Sequence, residues 1–221
     1  STGAKKLRGA SYLLELEEIQ NRVREAIRRG ATEVCLQGGI HPKFDGNYYL
    51  DVIKAIRKVS PDIHIHAFSP LEIFQGTQTL GLTLEEYLPI LKEAGLNSLP
   101  GTAAEILHDD VRDIICPDKL NTAEWLSVMD AAHSCGLNST ATIMFGHVET
   151  YDHIAEHLIN IKNQQIKSGG FTEFVPLPFV AHEAPMSLRG QSRSGPTFRE
   201  AILMHSICLL YTSPSPRDDI S

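Results

Sequence analysis

The chain has 221 residues, with 20 Lys and Arg against 27 Asp and Glu, a formal net charge of −7. Hydrophobic residues make up 42% and charged residues 21%, which excludes the low-hydrophobicity, high-charge balance of a disordered chain and allows one large domain with a sizeable core. The acidic balance, with no Lys/Arg cluster, excludes nucleic acid as the main partner. No stretch approaches the roughly 18 apolar residues of a membrane span. Cys35, Cys116, Cys135 and Cys208 show no short metal-ligand spacing and read as reduced thiols of a cytoplasmic protein. Ser1 stands where an initiating Met is absent, so the chain reads as a piece of a longer one.

Helical and extended patterns alternate along the chain. Apolar residues at Leu13, Leu16, Ile19, Val23, Ala26 and Ile27 predict a helix over 12–29, with Gly30 at its C-terminal cap. A strand over 33–37 stops at Gly38-Gly39. A helix over 48–58, a strand over 62–67, a helix over 83–94 ended by Gly95, and a short strand over 97–99 follow. The plan repeats with a helix over 123–135 capped by Asn121 or Thr122, a strand over 139–145, a helix over 153–167, a strand over 172–177 and a final helix from Thr197. Five strands alternating with helices imply either an open doubly wound sheet or an incomplete barrel.

In such folds chemistry gathers at the carboxyl ends of the strands. The first strand leads into Gln37, Gly38, Gly39 and His41, where two glycines allow close backbone approach to a ligand. His64 and His66 are two apart and share a face, reading as a pocket wall with the following 68–72 segment, or as metal ligands. Pro100-Gly101-Thr102 opens a turn into a helix whose first turn would hold Glu105. The fourth strand ends at His147 and Glu149. In the fifth, Glu173 sits among aromatics in what should be a buried strand, where it needs a partner or a ligand. Polar residues at successive strand ends argue for an enzyme. On residue chemistry alone, His41, His64, His66 and His147 with Glu105 or Glu173 suit a His-x-His zinc-dependent barrel hydrolase.

As whole segments, Thr32-Glu-Val-Cys-Leu-Gln-Gly-Gly-Ile-His-Pro42, Ile63-His-Ile-His-Ala-Phe-Ser-Pro-Leu-Glu-Ile73, Pro100-Gly-Thr-Ala-Ala-Glu-Ile-Leu107, Thr142-Ile-Met-Phe-Gly-His-Val-Glu-Thr150 and Gly169-Gly-Phe-Thr-Glu-Phe-Val-Pro-Leu-Pro-Phe179 resemble a radical S-adenosylmethionine (SAM) family, that of the tyrosine-using FO synthase enzymes. The resemblance covers about 6–205. The related futalosine menaquinone enzymes have Gly-Gly-Gly-Ala-Glu-Ile where this chain has Gly101-Thr-Ala-Ala-Glu-Ile106, and a different ending from Val180-Ala-His-Glu-Ala-Pro185.

The resemblance implies an α/β fold, a partial TIM-type (βα) barrel of the radical SAM class, truncated at both ends. It implies a [4Fe-4S] cluster and SAM, whose reductive cleavage gives a 5′-deoxyadenosyl radical. It further implies a transferase of coenzyme F420 biosynthesis that joins the 4-hydroxybenzyl fragment of L-tyrosine to 5-amino-6-(D-ribitylamino)uracil, with a second FO synthase subunit or domain as partner. By the same resemblance Gln37, Gly38, Gly39, Thr102 and Glu105 bind the cofactor, and His41, His64, His66, His147, Glu149 and Glu173 line the substrate pocket. The four histidines are the catalytic candidates.

The family's cluster is held by Cys-x-x-x-Cys-x-x-Cys, which this sequence lacks; those cysteines are expected before Ser1, and the chain alone is expected to be inactive. A truncated, non-catalytic binding module is the third reading. At the other end, Cys208-Leu-Leu-Tyr-Thr-Ser-Pro-Ser-Pro-Arg-Asp218 matches, residue for residue, the translation of a transposon-type sequencing adapter. The expected division is therefore 1–207 as the barrel domain and 208–221 as a non-native tail.

Overall fold

A computed structural model describes residues 14–41 and 44–212. In chain order the elements are α1 (Leu16–Arg28), β1 (Glu33–Leu36), α2 (Gly46–Val59), β2 (His64–Ala67), α3 (Pro70–Leu80), α4 (Leu84–Ala94), β3 (Ser98–Leu99), α5 (Asp109–Ile115), α6 (Thr122–Ser134), β4 (Asn138–Phe145), α7 (Tyr151–Ser168), β5 (Phe171–Pro178), a 3-10 turn (Ala181–Glu183), α8 (Pro185–Leu188) and α9 (Phe198–Thr212). β1 pairs with β2, β2 with β3 and β3 with β4, all in parallel. The order of hydrogen-bonded neighbours, β1-β2-β3-β4-β5, is the order of the chain. A doubly wound sheet reverses its strand order at a switch point. This sheet does not reverse, so the winding is that of a (βα) barrel segment.

Two compact units divide the chain. The first is Ser1–Gly101 with Ala123–Ser139, the second Thr102–Thr122 with Thr140–Ser221. In the first, Ile53, Ile56, Ile65, Leu88, Leu91 and Leu99 are fully buried together with Trp125 and Val128. Each such side chain contributes roughly 1.5–3 kcal/mol of transfer free energy. The stripe on α1 is shallower than expected, with Ile19 and Val23 buried but Leu16 and Ile27 each 37% exposed. α2 begins where the Asp45 carboxylate accepts the N–H groups of Asn47 and Tyr48. Gly46 and Gly76 then let α2 and α3 cross closely: a Cβ on Gly46 would lie 2.8 Å from the Gly76 carbonyl oxygen. The Tyr87 hydroxyl donates to the Gly46 carbonyl in the same contact, at 2.7 Å.

In the second unit, Ile106, Val111, Ile143, Phe145, Met204 and Cys208 form the core, flanked by Phe174 and Ala201. α9 crosses the expected 207/208 boundary without a break, and Cys208 is 4% exposed. Burial pushes its thiol up to about 11. Residues 213–221 of the expected adapter tail lie outside the described residues.

Three helices are not foreseen by periodicity: α3, α5 and α8. α5 and α8 are too short, at 7 and 4 residues, to show a repeat. β5 corrects a second expectation. It is mostly exposed, Glu173 included, because it stands last in the strand order with β4 as its hydrogen-bonded neighbour. The buried carboxylate foreseen at Glu173 is absent.

Candidate functional site

In the first unit the site is built from the loops that follow β1 and β2. After Leu36 the chain runs through Gln37, Gly38, Gly39 and Ile40, all exposed. Gly39 adopts φ 69, the left-handed region that favours glycine, and open space lies where its Cβ would be. The Gly38 N–H donates to Glu72 Oε1 at 2.9 Å. Glu72 is 1% exposed and also accepts the Ser69 N–H at 2.8 Å and the Ser69 hydroxyl at 2.7 Å. Ser69 caps α3 in return, so the 68–72 segment expected as a pocket wall is the start of a helix closed by a capping box with Pro70 at its first position.

His41 packs its ring against Phe44, centroids 4.9 Å apart, and Phe44 stacks on Tyr48 at 3.7 Å. His64 and His66 share a face as expected, and both reach the hydroxyl of Ser98 on β3. Nε2 of His64 lies 2.8 Å from Ser98 Oγ, and Nδ1 of His66 lies 2.7 Å from the same atom. Nε2 of His64 is also 3.7 Å from Glu33 Oε2. Both rings thus spend a nitrogen on a hydroxyl. Among the described residues no group of three or more His, Cys, Asp or Glu could hold a metal ion, which corrects the zinc-hydrolase reading.

The second unit holds two polar assemblies. Glu105 is not in a helix first turn, because α5 starts four residues later at Asp109. Instead Ala103 and Glu105 both sit at positive φ, 58 and 49, a conformation that costs a non-glycine residue roughly 1–2 kcal/mol. The loop is held in it by Arg112, 2% exposed, whose guanidinium donates to the carbonyls of Ala104 at 2.5 Å, Ala103 at 3.2 Å and Leu120 at 2.8 Å. The Glu105 carboxylate, 18% exposed, pairs with Lys119 Nζ at 3.0 Å. Thr102 opens the same loop and is half-buried.

At the end of β4, Glu149 accepts the N–H groups of Gly146 at 2.6 Å and His147 at 2.8 Å. Arg193 reaches it at 3.1 Å while bonding Glu200 at 2.7 Å. The His147 side chain is wholly buried. Nε2 of His147 lies 3.0 Å from the Met144 carbonyl, and its Nδ1 lies 2.8 Å from the Val148 nitrogen. That pattern assigns a neutral ring with its proton on Nε2. The 3.1 Å approach of Glu149 to Nδ1 is then a contact rather than an ion pair, consistent with burial pushing the His147 pKa below its usual range. His147 and Glu149 come together as foreseen, both side chains buried, with Glu149 bonded to the backbone of the loop after β4.

Reasoning from sequence missed Glu72, Arg112, Ser98 and Arg193. Glu72 had a legible signal, the Ser69-x-x-Glu72 pattern after Phe68. The other three are read only from tertiary contacts.

A model of the radical SAM superfamily matches residues 2–159. The chain belongs to the radical SAM superfamily. It is 48% identical over 202 residues to the 5-amino-6-(D-ribitylamino)uracil–L-tyrosine 4-hydroxyphenyl transferase of Methanothermobacter thermautotrophicus, covering 91% of this chain and 55% of that protein. The protein of the same name from Methanocaldococcus jannaschii is 47% identical over 200 residues, 89% of this chain and 56% of that protein. FO synthase of Streptomyces coelicolor is 44% identical over 204 residues, 92% of this chain and 24% of that protein. The chain thus spans about half the length of the archaeal relatives it matches. Methylornithine synthase shares the fold, with TM-score 0.65 and 13% identity over 94% of this chain and 56% of that one.

Radical SAM proteins use SAM and a [4Fe-4S] cluster. A cluster needs three thiolates close together, and the cysteines of this radical SAM chain do not supply them: Cys35 is exposed on β1, Cys135 follows α6, and Cys116 and Cys208 are buried in the second unit. The residues present do not fit a cluster. The 37–40 loop leaves its peptides exposed, carries two residues without side chains, and is tied to Glu72 through the Gly38 N–H, so its chemistry is compatible with a ligand that bonds to backbone groups. No helix among the described residues is long and apolar enough to cross a membrane.

Proposed function

We propose that this chain is the SAM-binding and substrate-binding portion of a transferase that joins the 4-hydroxybenzyl fragment of L-tyrosine to 5-amino-6-(D-ribitylamino)uracil, in the making of the FO chromophore of coenzyme F420. The observation that carries this reading is the 48% identity over 202 residues to the archaeal transferase named for those two substrates. The FO synthase relatives match nearly the same share of the chain, which supports the F420 assignment over the menaquinone branch.

SAM, when bound, supplies the 5′-deoxyadenosyl radical. The chain's own residues bind and orient. Gln37, Gly38 and Gly39 present peptide groups to the aminoacyl part of SAM, and the Glu72 carboxylate fixes that loop through the Gly38 N–H. Within the second unit, Thr102 and Glu105 stand on a loop that Arg112 holds with two residues at positive φ, a backbone strain of the kind that clusters at ligand sites. His41, His64 and His66 are the substrate-facing candidates, while Glu149 and His147 hold the loop after β4. Proton handling falls to the His64 and His66 pair, the imidazoles of the first unit that face one hydroxyl.

A chimera tests the reading. Residues 6–205 of this chain replace the matching segment of the Methanothermobacter transferase, and the anaerobically reconstituted protein is assayed with both substrates. It is expected to consume tyrosine only when the aminouracil is present. A chimera that carries its cluster and cleaves SAM yet leaves tyrosine untouched in the presence of the aminouracil contradicts it.

A further inference from the structure

Three parallel strands place Glu33, Cys35, His64, His66 and Ser98 in one patch of the first unit: Glu33 pairs in register with His64, Cys35 with His66, and His66 with Ser98. Ser98 Oγ lies within 2.8 Å of one nitrogen from each imidazole. A hydroxyl has one proton to donate and lone pairs with which to accept. When it bridges two neutral imidazoles, it takes an N–H from one and gives its own O–H to the other. Glu33 Oε2, 3.7 Å from His64 Nε2, favours a proton on that nitrogen. The polarity is therefore His64 Nε2–H to Ser98 Oγ, and Ser98 Oγ–H to His66 Nδ1, with both rings in the Nε2–H form.

We propose that Ser98 joins His64 and His66 into a single proton relay. When His64 Nδ1 gains a proton from solvent, its Nε2–H passes to Ser98 Oγ, the Oγ–H passes to His66 Nδ1, and the His66 Nε2–H leaves to a basic oxygen or nitrogen of the bound substrate. One proton enters and one leaves, every bond broken is matched by one formed, and both rings finish in the Nδ1–H form. The reverse sequence carries a substrate proton outward, and the His64 side chain, 44% exposed, meets the solvent at that end. Ser98 is a positioning residue, because it acts only through the two rings. The relay exists in the chain by itself; its use in turnover rests on the transferase reading, for which it supplies the route of proton transfer.

The experiment reads tautomers rather than activity, so its failure is separable from failure of the transferase reading. The 221-residue chain is labelled with 15N-histidine, and long-range proton–nitrogen correlations are recorded above the titration range of imidazole, with His64→Gln and His66→Gln used for assignment. The expected result is the Nε2–H form in both rings, each with a hydrogen-bonded nitrogen signature. Ser98→Ala should lose the signature at His66 Nδ1, and Ser98→Thr should restore it. Opposite tautomers in the two rings of the unsubstituted chain overturn the relay, a measurement that stands even where Ser98→Ala does not fold. Spectra unchanged in Ser98→Ala overturn it as well.

Discussion

The Glu72 carboxylate accepts the backbone N–H of Gly38 at 2.9 Å, across 34 residues of sequence. A helix cap thereby fixes a loop on a neighbouring strand end. The same carboxylate takes the Ser69 N–H and hydroxyl, so its removal strips an acceptor from several donors at once. Glu72→Ala is expected to destabilise the chain by about 2–4 kcal/mol, given about 1–3 kcal/mol for each buried group left unsatisfied. Glu72→Gln, which keeps one acceptor oxygen, should lose less. Urea unfolding of both variants checks the order, and equal losses would show that Glu72 acts through packing alone.

Glu149 and Arg193 are bonded to each other yet should respond unequally. Glu149 is fully buried at its side chain and satisfies the N–H groups of Gly146 and His147, whereas the Arg193 side chain is 44% exposed and is shared with Glu200. Glu149→Ala is expected to cost about 2–4 kcal/mol, and Arg193→Ala about 1 kcal/mol, in the range of a solvent-screened pair. Denaturant midpoints of the two variants, compared at equal slope, decide the ranking.

Stability should fall on acidification, and His157 sets the upper part of the range. It is fully buried, with Nδ1 accepting the Leu107 N–H at 2.9 Å. Burial, then the charge of Arg112, push its pKa from 6.5 down to about 3. Between those values the unfolded chain binds a proton that the folded chain does not. Stability is therefore lost as pH falls through that window, by up to about 1.4 kcal/mol per pH unit. Glu200 acts lower down: the Thr197 N–H, then Arg193, hold its carboxyl at about 2 against an ordinary 4.5. Its stabilisation is present above 4.5 and lost toward 2, and it is reduced by solvent screening at its partner Arg193, whose side chain is 44% exposed. Urea midpoints at about pH 7 and about pH 5 should differ in the unsubstituted chain, and the difference should shrink in His157→Asn, the remainder coming from His133 and His147, whose pKa values burial also lowers.

Two glycines separate backbone strain from crowding. Gly146 has φ 99, and a Cβ there would lie 2.3 Å from Pro196 Cδ; Gly169 has φ 63 and nothing within 4 Å of that position. Gly169→Ala should cost about 1 kcal/mol, from conformation alone. Gly146→Ala should cost at least twice that and displace the 193–197 segment, where the Arg193 N–H bonds the His147 carbonyl at 2.9 Å. Thermal unfolding supplies the first comparison, and limited proteolysis near Arg193 the second.

The strands and the long helices were legible because burial imposes a period on them. α7, expected over 153–167, runs Tyr151–Ser168, and β4, expected over 139–145, runs Asn138–Phe145. The choice between a doubly wound sheet and a barrel segment was not legible, because strand order is a property of crossovers and not of any one segment. Site residues divided in the same way. The shared face of His64 and His66 follows from a period of two, but Ser98, which joins them, is an ordinary residue on a two-residue strand. The place of His147 at a strand end is legible in the sequence, whereas the bonds of its ring to Met144 and Val148 are not, because they depend on how the loop folds back. Glu173 misled because aromatic neighbours suggested burial on a strand that the fold leaves largely exposed.

The most direct test of the transferase assignment is product analysis with the protein of the complete gene, reconstituted anaerobically with iron and sulfide and supplied with SAM, L-tyrosine and 5-amino-6-(D-ribitylamino)uracil. Tyrosine is expected to be consumed only with the aminouracil present, and the 4-hydroxybenzyl carbons to appear in the uracil product. A protein that cleaves SAM but turns over a futalosine-type substrate, leaving tyrosine intact, would contradict the assignment.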